Sequence, residues 1–136
     1  MIGISYSDHT RDRAALTHIM RQLPEDAYSI LLYHPPDLAD TAAELGIDLY
    51  LSGHTHAGQI RVPFYGALFT ASIHHKQFER GRYDLGDTTL YVSRGIGMEG
   101  KGAPRARFLS PPEVVVIDLH SPGNKSTPRA LGYMDS

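Results

Sequence analysis

The sequence predicts an α/β fold, in the form of an α+β sandwich with a βαβαβ unit followed by mostly antiparallel strands. Before Gln59, short apolar runs alternate with segments of helical period, a pattern that favours parallel strands joined by helical crossovers. From Gln59 to Leu119, short strands are separated by turn residues and helical patterns are scarce. The chain has 136 residues, which is enough for one domain with a hydrophobic core.

The first strand and helix are predicted near the start of the chain. Ile2–Tyr6 has the composition of a strand. Arg11–Leu23 is predicted to be an amphipathic helix because its apolar residues recur at helical spacing and Pro24 follows as a stop. Asp8 precedes the first helical turn, so we interpret it as the residue that caps this helix rather than as a metal ligand.

Two further strands and a second helix complete the βαβαβ unit. Tyr28–Tyr33 is a short apolar run, typical of a buried strand. A helix is predicted from Leu38 to Leu45, and Gly46 is placed to end it. Ile47–Leu51 is predicted to be the third strand, so its end and the end of Tyr28–Tyr33 should lie at the same edge of a parallel sheet.

The second half of the chain predicts β structure. Gly81–Asp84 and Thr88–Ser93 are separated by a short turn and predict a hairpin. Glu113–Leu119 contains consecutive β-branched residues and predicts a strong strand. Residues 1–120 are therefore assigned to the folded unit, and the polar, turn-rich residues 121–136 are predicted to be a disordered tail.

Composition narrows the classes of function. The net charge is −2, so no global basic field indicates a nucleic-acid partner. The chain has no cysteine, and any metal ion must be held by histidine, carboxylate or amide side chains. Neither a signal peptide nor an apolar run of membrane-spanning length is present in this chain, which predicts a cytoplasmic protein or one peripheral at the inner membrane face.

Three histidines follow the ends of predicted parallel strands. His34 comes directly after one strand, and His54 and His56 lie in the turn after the next. Because such strand ends share one edge of the sheet, these side chains are predicted to converge on a metal site. Gly53 is expected to supply the bend by taking positive φ, and Gly58 to turn the chain away again. Neutral imidazoles suit zinc, iron and manganese.

The stretches that carry these histidines are similar to the calcineurin-like metallophosphoesterases, and within them to a bacterial branch of predicted phosphohydrolases. The most specific stretch is the run Gly-His-Thr-His-Ala-Gly-Gln, in which Ala57 stands where family members usually have glycine. The resemblance covers nearly all of Ile2 to Leu119. Its matching blocks are Leu31–Asp37, Leu51–Pro63, Gly81–Tyr83, Leu90–Gly97 and Pro112–Val114.

The resemblance implies a fold, a cofactor and roles for the histidines. The chain would be the C-terminal half of the four-layer metallophosphoesterase fold. Two divalent ions (Mn, Zn or Fe) about 3.5–4 Å apart would support phosphoester hydrolysis, with His34 and His54 on one ion and His56 on the other. The family motifs that supply the bridging Asp, an Asn ligand and the His thought to act on the leaving group precede this part and are not in this chain. We therefore expect at most one weakly bound ion here, little activity, and no assignable catalytic residue.

A cluster of basic residues lies downstream of the histidines. Arg61, Arg94 and Arg105 are candidates for a substrate rim, since guanidinium groups pair well with phosphate. A solvated basic face that also includes Arg107 is the alternative. Gly95–Gly100 matches a dinucleotide fingerprint, but no helix is predicted after it, which indicates a loop on the rim of the site.

Two functions remain open from the sequence. The first is a metal-dependent phosphodiesterase or pyrophosphohydrolase, for which nucleotide-sugar and lipid-linked phosphoesters are candidate substrates. The alternative is a non-catalytic metal-binding or protein-interaction module on a degenerate phosphoesterase fold. In either case half of a sandwich leaves sheet edges open. The missing N-terminal half, or a second copy in a dimer or swapped assembly, is the expected partner.

Overall fold

A computed structural model describes residues 1–68, 72–74, 76–98 and 105–120. The predicted tail, 121–136, lies outside the described residues. The strands in chain order are β1 (Ile2–Gly3), β2 (Ile30–Leu32), β3 (Leu49–Ser52), β4 (Arg61–Val62), β5 (Gly66–Ala67), β6 (Gly81–Leu85) and β7 (Thr88–Val92), and the helices are α1 (His9–Met20) and α2 (Ala39–Glu44).

The described strands form a five-stranded mixed sheet and a separate two-stranded one. The larger sheet has the order β1-β2-β3-β7-β6, and β4 pairs with β5. The first three strands are mutually parallel, as predicted, and β6 and β7 form the predicted antiparallel hairpin. β7 also pairs with β3 in parallel, which the sequence did not predict. The mixed α/β class is therefore confirmed.

Helix α1 lies slightly earlier in the chain than the predicted Arg11–Leu23. Its start is set by Asp8, whose carboxylate accepts a hydrogen bond of 3.1 Å from the backbone N–H of Arg11. This confirms Asp8 as a capping residue. Leu16 is fully buried beneath the helix, and the neighbouring apolar positions pack against the core. The predicted apolar face is thus the face that packs.

Helix α2 follows a 3₁₀ turn at Pro36–Leu38 and ends as predicted at Gly46. Gly46 has φ 68°, and its N–H and that of Ile47 donate to the carbonyls of Ala43 and Ala42. This pair of bonds is the Schellman arrangement, which satisfies carbonyls at the helix end. In the described part of the chain, no helix combines the length and apolar character needed to cross a membrane.

The core lies between the sheet and the helices. It begins under α1, continues through the buried faces of β2, β3 and β7, and includes one aromatic residue from the segment before β6. Its fully buried members include Leu16, Leu31, Leu38, Ala42, Ile47, Tyr50, Phe78, Leu90 and Val92. These side chains fix the positions of the strand ends from which the candidate site is built.

A buried carboxylate ties α1 to the end of β2. Asp12 is 3% exposed and accepts hydrogen bonds from the N–H and the hydroxyl of Ser7 and from the Tyr33 hydroxyl, the last at 2.7 Å. Burial alone raises the pKa of Asp12, but these hydrogen bonds outweigh it and hold the pKa below its ordinary value. Burial and the nearby Asp12 raise the pKa of Tyr33. The network fixes Tyr33, the residue before His34.

The strand predicted at Glu113–Leu119 is absent, and that prediction was wrong. The segment has no strand assignment, and Val114 and Val116 are 81% and 68% exposed. A strand needs a neighbour for its backbone groups, and β7, the strand to which this segment is anchored, already pairs with β3 and β6. The β-branched residues of this segment favour a buried strand, but no described part of the chain covers them.

Candidate metal centre

The structure brings His34 and His54 together at the ends of β2 and β3. The strands are parallel neighbours in register, so the two chain exits are adjacent. The N–H of Gly53 donates to the carbonyl of His34 at 2.8 Å, which extends the ladder one step beyond the strands. The imidazole centroids are 4.9 Å apart with an interplanar angle of 71°. His34 is exposed and His54 is half-buried, so both can be reached from solvent.

The loop that carries His54 and His56 is conformationally strained. Left-handed φ values occur at several residues with side chains, each of which costs about 1–2 kcal/mol relative to the right-handed region. Such strain persists only where surrounding structure holds it, and it concentrates at functional sites. The residues are His54 (φ 68°), His56 (φ 48°), Ala57 (φ 52°) and Gln59 (φ 52°).

The expected role of Gly53 was wrong, and that of Gly58 is confirmed. Gly53 is not among the residues of positive φ, whereas Gly58 has φ 77°. Gly53 still continues the backbone ladder, and a Cβ there would lie 3.7 Å from the carbonyl oxygen of Ser93, an ordinary contact. The bend therefore falls one residue later, on His54 itself.

A largely buried ion pair supports this loop. The Arg61 guanidinium lies 2.6 Å from the Glu79 carboxylate, and the two side chains are only 14% and 13% exposed. Arg61 also donates to the carbonyl of Ala57 at 3.2 Å, and the Thr55 hydroxyl donates to the carbonyl of Glu79 at 2.7 Å. Arg61 thus supports the loop through its ion pair. Its predicted contact with substrate remains a prediction.

The second rim candidate, Arg94, is also paired. Its Nε lies 2.7 Å from the carboxylate of Glu113, and the side chains are 20% and 15% exposed. The Tyr91 hydroxyl donates to the same carboxylate at 2.5 Å. Burial raises the pKa of Glu113, but the bonds from Tyr91 and Arg94 bring it below its ordinary value. Arg105 is exposed, and a substrate contact for Arg94 or Arg105 also stays a prediction.

His56 faces a different set of groups from His34 and His54. Its Nδ1 lies 3.2 Å from the carbonyl oxygen of Arg94, and its own carbonyl accepts a hydrogen bond of 2.8 Å from the Ser110 hydroxyl. Arg107 packs against the same ring. The sequence placed Arg107 in a basic cluster but gave no sign of this contact, because contacts with backbone carbonyls leave no residue pattern.

The donor set fits part of a metal site. Within the described ranges, no three His, Asp or Glu side chains are grouped to hold one ion. His34 and His54 offer two imidazoles, whereas a structural zinc takes four ligands and a catalytic zinc three from protein. The Ser52 hydroxyl at the same end of β3 is buried without a hydrogen-bond partner among the described residues. The pair could therefore supply only part of the ligand set of one ion.

The chain is similar to several bacterial proteins named as phosphoesterases. It is 42% identical over 102 residues to the uncharacterized metallophosphoesterase YkuE of Bacillus subtilis, covering 75% of this chain and 34% of that protein. It is 34% identical over 90 residues to the phosphodiesterase YaeI of Escherichia coli, covering 66% and 32%. It is 32% identical over 123 residues to the UDP-2,3-diacylglucosamine pyrophosphatase LpxG of Chlamydia trachomatis, covering 85% and 35%.

These similarities concern a part of each relative. The chain spans about a third of the length of the curated relatives it matches. No family model matches the chain. No solved structure matches it at a significant level.

Proposed function

The chain belongs to the calcineurin-like metallophosphoesterase family, and from this premise we propose that it forms part of a metal-dependent phosphoester hydrolase with a binuclear metal centre. The observation that carries the proposal is the pair of imidazoles of His34 and His54, 4.9 Å apart at adjacent ends of parallel strands. This is the edge of an open α/β sheet at which ligands bind.

Each histidine has a proposed role. His34 and His54 are ligands of one divalent ion, and His56 is a ligand of the second. Bound divalent ions supply positive charge that stabilises the charge developing on phosphoryl oxygens. The protein's contribution is to hold neutral imidazoles in fixed directions. The ladder bond from Gly53 to His34 and the braced loop below His54 are suited to that task.

The proposal assigns this chain to the C-terminal half of the fold, with the bridging carboxylate supplied from outside it. The absence of a third grouped ligand among the described residues supports this assignment. The exposed Val114 and Val116 support an interface with the missing half or with a second copy. The chain alone should therefore bind at most one ion weakly and hydrolyse phosphoesters poorly.

The proposed substrates are phosphodiesters or pyrophosphates. The name of LpxG states that it acts on UDP-2,3-diacylglucosamine, and that of YaeI states a phosphodiesterase. A lipid-linked nucleotide sugar is accordingly one candidate for the intact protein. Arg105 is exposed and remains a candidate for contact with an anionic substrate.

A second candidate is a non-catalytic metal-binding or interaction module. The incomplete ligand set among the described residues is the observation that favours it. The thermal midpoint of the purified chain in Mn²⁺ and in chelator separates a metal-binding chain from an interaction module without metal, because an ion that binds only the folded chain raises that midpoint. We expect a higher midpoint in Mn²⁺, lost in His54→Ala. An equal midpoint in Mn²⁺ and chelator would refute a metal site in this chain and favour an interaction module.

Hydrolysis of a chromogenic phosphodiester tests the remaining part of the proposal. The purified chain should show little Mn²⁺-dependent activity. Robust activity that disappears in His54→Ala would contradict the view that the centre is completed from outside the chain, while retaining the hydrolase assignment. Activity that survives in His54→Ala would not come from this site.

A further inference from the structure

The Arg107 guanidinium clamps a loop that lies against His56. We call residues 94–97 the rim loop. Nε of Arg107 donates to the carbonyl of Gly97 at 3.1 Å, and Nη2 donates to the carbonyls of Arg94 and Gly95 at 2.9 and 3.1 Å. Nη1 donates to the carbonyl of Ser110 at 3.2 Å. All three nitrogens are thus engaged with backbone carbonyls, which disfavours a role for this side chain in holding a phosphate.

The ring of His56 lies beside this clamp. Its Nδ1 is 3.2 Å from the carbonyl oxygen of Arg94 and also 3.2 Å from Nη2 of Arg107. A hydrogen bond to the carbonyl requires a proton on Nδ1, whereas one from the guanidinium requires a lone pair there. A neutral ring can satisfy only one of them. The choice decides which nitrogen of His56 is left as a donor to metal.

The carbonyl contact is the better-supported one. Nη2 of Arg107 has two hydrogens and already reaches three rim-loop carbonyls, those of Arg94, Gly95 and Gly97. It needs no further acceptor. With its proton on Nδ1, His56 keeps a lone pair on Nε2. Metal-bound histidines commonly donate their other ring N–H to a backbone carbonyl in this way.

We propose that Arg107 is a positioning residue for His56, an inference that rests on the proposed metal-binding function. By fixing the rim loop, Arg107 holds the Arg94 carbonyl where it accepts the Nδ1 proton, and Nε2 of His56 becomes the metal donor. Ser110 fixes the other side, since its hydroxyl donates to the His56 carbonyl and its own carbonyl accepts from Arg107. The backbone of His56 and its imidazole ring are therefore both held in place by groups that Arg107 contacts.

An arginine suits this position better than a lysine. The planar fork of guanidinium presents donors in fixed directions to several carbonyls at once, whereas an ammonium is a compact point donor. Arg107→Lys should therefore retain part of the clamp and Arg107→Gln almost none. Removing a residue that orients a metal ligand typically weakens metal affinity by about 10–100-fold. We expect a loss in this range at His56.

The tautomer of His56 tests the proposal without any metal. Long-range ¹H–¹⁵N NMR of the chain labelled on histidine distinguishes a protonated Nδ1 from a protonated Nε2. We expect the Nδ1–H form in the wild type, a mixture in Arg107→Gln and an intermediate result in Arg107→Lys. Arg82→Gln, which removes an exposed arginine that pairs with Asp84, should change nothing. An Nε2–H form in the wild type would overturn the proposal even if a variant failed to fold.

Zinc titration of the same samples separates this proposal from the proposed function. Excess Zn²⁺, added beyond the one weakly bound ion expected at His34 and His54, should shift the Nε2 resonance of His56 in the wild type, with an effect about 10–100-fold weaker in Arg107→Gln and an unchanged response at His34 and His54. Equal affinity at His56 in both proteins would overturn the positioning role. Absence of any response at His34 and His54 would instead refute the proposed metal site.

Discussion

The imidazole rings of His34 and His54 lie 4.9 Å apart, edge to face, although 20 positions separate them in the chain. The parallel register of β2 and β3 produces this proximity, because it places the two strand exits side by side. The hydrogen bond from Gly53 to His34 then keeps the exits together. A pair of surface histidines without such support would rarely hold this geometry.

Replacing His54 by glycine should be less harmful to the fold than replacing it by alanine. His54 has φ 68°, a conformation that glycine adopts freely and alanine does not. We expect His54→Gly to be more stable than His54→Ala by about 0.5–1 kcal/mol in urea unfolding. Position 34, which is not among the residues of positive φ, should show the reverse order by a similar amount. A His54→Gly variant that is no more stable than His54→Ala would refute strain at His54.

Breaking the Arg61–Glu79 ion pair should destabilise the chain far more than breaking the Arg82–Asp84 pair. The first pair is largely buried, and removing one partner leaves the other charge uncompensated. We expect Arg61→Gln to lower the free energy of unfolding by about 2–4 kcal/mol. Arg82 and Asp84 are 65% and 62% exposed, and Arg82→Gln should cost less than about 1 kcal/mol.

Urea unfolding of Arg61→Gln, Glu79→Gln and the double variant measures this difference. The double variant should lose much less than the sum of the two single variants, since each single change leaves one buried charge without its partner. Similar losses at the buried and exposed pairs would contradict a bracing role for Arg61.

Asp12 should make the chain acid-sensitive. Its folded-state pKa lies below the ordinary value of 3.8, because bonds from Ser7 and Tyr33 outweigh the opposite effect of burial. The ionised form therefore contributes stability above the unfolded-state pKa, and this contribution is lost as pH falls through the folded-state pKa. The free energy of unfolding of the wild type should exceed that of Asp12→Asn by the largest amount near neutral pH, and this difference should shrink below about pH 4.

Urea unfolding across this pH range provides the measurement. Tyr33→Phe removes one of the donors to Asp12 and should make the free energy of unfolding change less with pH, without abolishing the change. A difference in the free energy of unfolding between the wild type and Asp12→Asn that stays constant, or grows in acid, would contradict a lowered pKa for Asp12.

Val114 and Val116, the exposed valines of segment 113–119, should drive self-association of the isolated chain. Val114 and Val116 are largely exposed, so replacing both by serine should change the free energy of unfolding by less than about 0.5 kcal/mol each. It should also lower the fraction of dimer or larger species in light scattering at high concentration. Tyr28→Ser, at an exposed apolar residue outside this segment, is the control. A wild-type chain that stays monomeric at high concentration would contradict this expectation.

Local sequence patterns predicted the frame that carries the candidate site. The alternation of apolar runs and helical segments gave the parallel β1–β2–β3 order, and Gly46 ended α2 as its freedom at positive φ suggests. Such features depend on neighbours in the chain. The approach of His34 to His54 followed from the same reasoning, because strand ends of a parallel sheet share one edge.

What the sequence could not supply depends on contacts between distant segments. The run Glu113–Leu119 has strand composition, but a strand also requires an open neighbour, and β7 has none. The bend predicted at Gly53 falls on His54, because the Gly53 backbone is used to extend the ladder. The sequence identifies Arg107 only as a positively charged residue, whereas its structural role depends on hydrogen bonds to carbonyls of the rim loop.

Isothermal titration of the purified chain with Zn²⁺ tests most directly whether His34 and His54 share one metal ion. We predict a single weak site whose affinity falls at least about 10-fold in His34→Ala and in His54→Ala, with no larger loss in the double variant. His18→Ala, which removes an exposed histidine on α1, should bind as the wild type does. Binding that is unchanged in both site variants, or no binding at all by the wild type, would show that the two histidines do not share an ion.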